Sequence, residues 1–240
     1  MTDHTPVGTI QSVCTGISVV EHPVRFWGLR FRTRMTLIQM SQASLCIHSP
    51  VPQSAAIKDF IQQIQPRRIF LVAPNTLHHL FIGEYMRSWP QATVIAAHGL
   101  GRKRRDLALA SGKDFNETDW PTELQAITIQ GNSYLNEIVL YHRSSKTLIV
   151  TDLIENFTSQ SPGLGWETRW MAKLSGMWNR PSPSPEFRLY SHKKALAAAL
   201  RQVLALDFER IILAHGDLIE STPRRTAKDC LRTAYEHVLH

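Results

Sequence analysis

Four stretches of the chain place a polar or titratable residue directly behind an apolar run. Ala73 leads through Pro74 to Asn75-Thr76-Leu77-His78-His79, Ala97 is followed by His98, Val150 by Thr151-Asp152, and Ala214 by His215-Gly216-Asp217. In layered α/β folds, loops at strand ends aim side chains into a common crevice. Neutral imidazoles and carboxylates are the ligands that zinc, iron or manganese take from a protein without usable thiolates. Each of these histidines on its own reads as exposed or locally satisfied. Four such endings in one chain make a candidate metal site. Cys14, Cys46 and Cys230 lie far apart, with no Cys-x-x-Cys spacing, which excludes a disulfide framework and a thiolate zinc knuckle and makes a reducing cytoplasm the expected home. Cys46, two residues before His48, reads as a buried, inert thiol.

These residues need strands to carry them and helices to cover the strands. Met35 to Met40, Ser44 to His48, Ile69 to Ala73, Thr93 to Ala97, Ala126 to Ile129 and Ile211 to Ala214 read as strands. Ile138 to His142 and Thr147 to Thr151, separated by Arg143-Ser144-Ser145-Lys146, predict a hairpin. Helical spacing marks Ile57, Phe60, Ile61 and Ile64 behind a Ser54 cap, then Ile82, Tyr85, Met86 and Trp89, then Leu196, Leu200, Val203 and Leu204. A last helix carrying Leu231, Ala234, Tyr235 and Val238 is expected to start from Thr222-Pro223. A polar excursion fills Gly99 to Pro121, and the tryptophan- and proline-rich stretch 157–190 reads as an irregular, partly helical insertion. The whole, 1–240, is expected to be one domain of α/β (α+β) class.

The length of 240 residues and a hydrophobic share of 43% suffice for a sizeable core. Residues 1–16 show neither a secretory signal nor an anchor, and no segment is apolar enough to span a bilayer, so no membrane partner is expected. A net charge of +7 keeps anionic partners in view. The basic, aromatic run from Arg25 to Arg34, with Arg102 to Arg105, has the composition of a nucleic-acid grip. The favoured reading is a solvated basic face with Trp27 and Phe31 in the core. Small-molecule chemistry on an anionic substrate is preferred over nucleic acid.

Taken together, Ala73 to His79, Thr147 to Asp152 and Ile211 to Gly216 resemble, in order and spacing, the ligand motifs of the metallo-β-lactamase superfamily. Thr33 to Met35, His48-Ser49-Pro50-Val51 and Asn136-Glu137-Ile138-Val139 resemble a bacterial branch of it whose function is unassigned. The likeness runs from Gly16 to Glu220 and implies a four-layer αββα sandwich. It also implies a change at the site. The family's first motif, His-x-His-x-Asp-His, falls on Pro74 to His79, so Pro74 and Thr76 stand where two histidines would be, and the mid-chain His falls near Asn132. Those three residues offer no imidazole and no carboxylate, so the first of the family's two metal positions is dismantled. The second is left with His78, His79, Asp152 and His215, a set for one divalent ion, zinc or iron. The implied function is mononuclear, metal-dependent hydrolysis with Asp152 at the centre and Glu137 as a substitute ligand or general base. The alternatives are a retired binding or structural protein on the same fold and a nucleic-acid processing member.

Overall fold

Strand β1 (Ile10–Cys14) opens a sheet that continues through β2 (Ile17–Phe26), β3 (Leu29–Met40), β4 (Ser44–His48), β5 (Arg68–Ala73) and β6 (Thr93–Ala96). The structure is a computed structural model and describes residues 8–107, 109 and 121–240. The first three strand junctions are antiparallel; β4, β5 and β6 run parallel. The parallel steps need crossovers, which are supplied by α1 (Ala55–Ile64) and α2 (Ile82–Ser88). The Ser54 hydroxyl accepts from the Ile57 amide, Ile57 and Ile61 are buried, and Gln65 ends α1 in the left-handed region ahead of Pro66.

Short α3 (Leu100–Lys103) follows β6. The rest of the polar excursion, residue 108 and residues 110–120, lies outside the described residues. The second sheet has the order β11-β10-β9-β8-β7, with β7 (Leu124–Thr128), β8 (Ile138–His142), β9 (Thr147–Ile149), β10 (Arg210–Ile212) and β11 (Ile219–Glu220). β8 and β9 form the antiparallel hairpin, and β9 pairs parallel with β10, so Asp152 and His215 leave neighbouring strands in the same direction. Between them in the chain lie α4 (Trp166–Leu174), α5 (Pro185–Leu189) and α6 (Lys193–Leu204), and α7 (Ala227–Ala234) and α8 (Glu236–Leu239) close the chain.

Alternation along the strands builds the layers. Cys46 and Phe70 point between the sheets and meet Ile138, Leu140, Ile149 and Ile212 of the second sheet. Leu45, Ile47 and Leu71 point the other way and pack with Ile57, Ile61 and Tyr85. On the far side Val139, Leu148 and Ile211 meet Leu196, Leu200, Val203 and Leu231. The result is helix, sheet, sheet, helix.

Two expectations are corrected. The expected last helix is two: α7 starts behind Thr226, whose hydroxyl caps the Asp229 amide while Asp229 reaches back, forming a capping box, and carries Leu231 and Ala234, whereas Tyr235 separates it from α8, which carries Val238; Thr222 belongs to the turn before α7. The run Arg25 to Arg34 forms the distal arms of the β2–β3 hairpin, joined by Trp27-Gly28 with both residues at positive φ. Trp27 is 78% exposed there, not in the core. The arginines are largely spent within the fold. Arg30 pairs with Glu167, Arg32 with Glu21, and buried Arg34 pairs with Glu21 and donates to the Leu213 and Gly216 carbonyls.

Candidate metal centre

His78 sits in the loop after β5, Asp152 three residues past β9 and His215 three residues past β10, so the ends of both sheets meet at one point. Their donor atoms lie within 4.8 Å of one another. His78 Nε2 is 3.2 Å from His215 Nε2 and 3.4 Å from Asp152 Oδ2, and His215 Nε2 is 3.5 Å from Asp152 Oδ1.

Each donor is held from behind. His215 Nδ1 donates to the Arg32 carbonyl at 2.9 Å, which turns the Nε2 lone pair inward in the neutral ring. His78 Nδ1 is 2.8 Å from the Ser49 hydroxyl. Ser49 follows β4, so the first sheet orients the His78 ring through a residue to which the sequence assigned no role. Gly216 must be glycine: a Cβ there would collide with the Asn156 carbonyl, and its φ is positive.

Asp152 is buried, which works against ionisation, yet the imidazoles of His78 and His215 outweigh burial and hold its carboxyl well below the usual range. Asn75 braces the group from two sides. Its amide donates to Asp152 Oδ2 at 2.6 Å and Thr151 Oγ1 at 2.9 Å, and its carbonyl accepts from the Leu77 and His78 amides at 2.8 Å. Asparagine bonding to amides two and three residues on is a turn signature, a local signal for this residue that could have been read from the sequence.

Two of the expected site residues have other employment. His79 borders the cavity, but its Nδ1 faces Arg104 Nη1 at 3.1 Å. A guanidinium can only donate, so the neutral ring carries its proton on Nε2 and offers a metal no lone pair. Burial, Lys103 and Arg104 push its pKa down to about 4. Glu137 is fully buried and accepts from the amides of Thr151 and Asp152, each at 2.8 Å. It pins the chain that presents Asp152 and does not border the cavity. Burial and the Asp152 charge push its own carboxyl upward.

Pro74, Thr76 and Asn132, where the resemblance puts the ligands of a first metal, are also engaged in hydrogen bonds. The Pro74 carbonyl accepts from the Ile138 amide, Thr76 donates to the Tyr134 carbonyl at 2.6 Å, and the Asn132 amide donates to the Glu186 carbonyl and Ser191 hydroxyl, each at 3.0 Å. His98 is exposed, and His48 is buried with its Nε2 unpartnered among the described residues.

The cluster lies on the wall of a cavity of about 470 Å³. Apolar side chains dominate it, among them Phe26, Trp27, Phe31, Leu77 and Phe81, with Arg25 and Lys103 also present. The Phe31 ring meets His215 edge-on at 4.8 Å. Glu155, missed in the sequence, also borders the cavity, and burial pushes its carboxyl up to about 8.

Known structures agree with this architecture. A metallo-β-lactamase from Pontibacter korlensis aligns with TM-score 0.61 at 10% identity, over 96% of this chain and 98% of that one. The metallo-β-lactamase FIM-1 from Pseudomonas aeruginosa, in its mono-zinc form, aligns with TM-score 0.56 at 13% identity over 100% of both chains. The metal-soaked Flv1 flavodiiron core from Synechocystis sp. PCC6803 aligns with TM-score 0.60 at 16% identity, over 98% of this chain and 62% of that one. No curated protein matches by sequence. The fold is therefore that of the metallo-β-lactamases, with a His/Asp cluster where the strand ends converge. Residues 17–169 match the family model described as Domain of unknown function (DUF4336), and the chain belongs to that family.

Proposed function

We propose that the protein is a hydrolase that works with one divalent metal ion, zinc or iron, held by His78, Asp152 and His215. The observation that carries this reading is the convergence of these donors at the cavity wall with both imidazoles fixed from behind. The donor set fits a divalent cation: two oriented imidazoles and a carboxylate kept ionised. Three protein ligands, in place of the four expected from sequence, leave coordination open, as catalytic sites require. Such an ion supplies Lewis acidity and brings water toward ionisation near neutral pH. Both FIM-1 in its mono-zinc form and the Flv1 flavodiiron core have the same fold, which supports zinc or iron without choosing between them.

The remaining work falls to the chain. Asp152 contributes the negative charge of the site. Ser49, Asn75 and the Arg32 carbonyl keep the ligands aimed. The apolar walls exclude water, which strengthens electrostatics inside. Lys103 and Arg25 attract an anionic small molecule, and Glu155 borders the cavity as a carboxyl placed to exchange a proton with it. Three unpaired cysteines support a reducing, cytoplasmic setting.

A retired, metal-holding binding protein is the second reading, favoured by the way Pro74, Thr76 and Asn132 have become loop cross-links. Metal content of the purified protein, followed by a panel of chromogenic esters, lactams and phosphodiesters, separates the two. About one equivalent with turnover that disappears in Asp152→Ala is expected. One equivalent without turnover on any of them favours the binding protein, and no metal even after incubation with zinc or iron contradicts both.

A further inference from the structure

The outward side of α4 is apolar and basic, and nothing among the described residues covers it. Trp166, Trp170 and Leu174 recur every fourth residue and are 69%, 60% and 81% exposed, while Thr168 and Ala172 on the opposite side are fully buried. With 3.6 residues per turn, exposed Arg169 and Lys173 flank this stripe on one side and Glu167 and Met171 on the other. Glu167 is neutralised by Arg30 at 2.7 Å, and Met171 borders the cavity. The Arg30 carbonyl accepts from the Gly165 amide and from the Thr168 hydroxyl, which ties α4 to the β2–β3 hairpin, whose turn carries exposed Trp27 between Arg25 and Arg30. Scattered exposed apolar residues are ordinary, but three large ones aligned on one helix with cations beside them mark a binding surface.

We propose that this face docks on an anionic lipid surface, with the tryptophans and Leu174 entering the headgroup boundary and Arg169 and Lys173 meeting the headgroups. Charge complementarity selects the occupant. The chain carries +7, so a second copy seated on this cationic face would bring like charges together. Nucleic acid would use the cations but gain nothing from Leu174, the most exposed side chain of the stripe. An interfacial helix uses all of it: tryptophan and leucine on one side with arginine and lysine beside them. The expectation of no membrane partner rests on spanning segments, and no helix among the described residues is long and apolar enough to cross a membrane. Docking on a surface needs no such helix. The proposal stands independently of the metal reading.

The test is co-sedimentation of the full chain with vesicles of phosphatidylcholine and of phosphatidylcholine mixed with phosphatidylglycerol, at low and high salt. Binding to the anionic vesicles is expected, about tenfold or more tighter than to the neutral ones and weakened by salt. Trp170→Ser with Leu174→Ser, and separately Arg169→Glu with Lys173→Glu, should each weaken it about tenfold or more while melting temperature stays near that of the unchanged protein. No binding to anionic vesicles at low salt overturns the proposal, as does binding that neither pair of substitutions alters. Self-association or RNA retention that these substitutions abolish, without vesicle binding, also overturns it and gives the face to a second copy or to nucleic acid.

Discussion

Asp152 carries the single negative charge of the proposed ligand set, in a buried place where Coulomb interactions are strong. Asp152→Asn should reduce bound metal to near zero, as read by metal content after dialysis. Glu137 acts one step behind it. In Glu137→Gln, an acceptor of two buried backbone amides is replaced by a group that also presents donors, at a cost of about 1–3 kcal/mol in urea unfolding, with a smaller loss of metal than in Asp152→Asn. Equal loss of metal in the two variants would promote Glu137 to a ligand. His79→Gln should leave metal content unchanged, because its Nδ1 is committed to Arg104. A large loss there would show that the ring turns and ligates.

At the scale of elements, the β2–β3 hairpin and α4 bring distant residues to the site, and the caps decide where helices begin. Thr226→Ala removes a capping box and should cost about 0.5–2 kcal/mol by denaturant unfolding, against a smaller effect for Thr222→Ala. The reverse order would restore the sequence reading of this helix. Apolar runs such as Ile69 to Ala73 and Ile211 to Ala214 were legible as strands because both their faces are covered. The distal hairpin arms were not, since Arg30, Arg32 and Arg34 read as a solvated face until Glu167, Glu21 and the loop carbonyls are seen to take them. Helix α4 was equally obscure: its tryptophans face outward, and it is anchored through the small residues Thr168 and Ala172. At the site, the motifs that contain His78, Asp152 and His215 could be read directly. The positions of Ser49 and Glu155, and the proton on His79, depend on neighbours far away in the chain.

For the whole molecule, the two sheets form one buried interior that must stay neutral where it lacks partners. His48 lies within it; burial, together with His78, lowers its pKa from 6.5 to about 3. The unfolded chain therefore binds a proton that the native chain refuses, and stability falls as pH drops from about 6.5 toward 3, by at most about 1.4 kcal/mol per pH unit from this group. Urea unfolding across that range should show a shallower decline in His48→Leu, and identical slopes would remove His48 from the account. Pro74, Thr76 and Asn132, where the family resemblance puts the ligands of a first metal, are engaged in loop hydrogen bonds, so the proposed site holds a single ion. Metal equivalents per chain, measured by elemental analysis after dialysis of protein incubated with zinc or iron, test this most directly. The account predicts one. Two retained equivalents, or none, would contradict it.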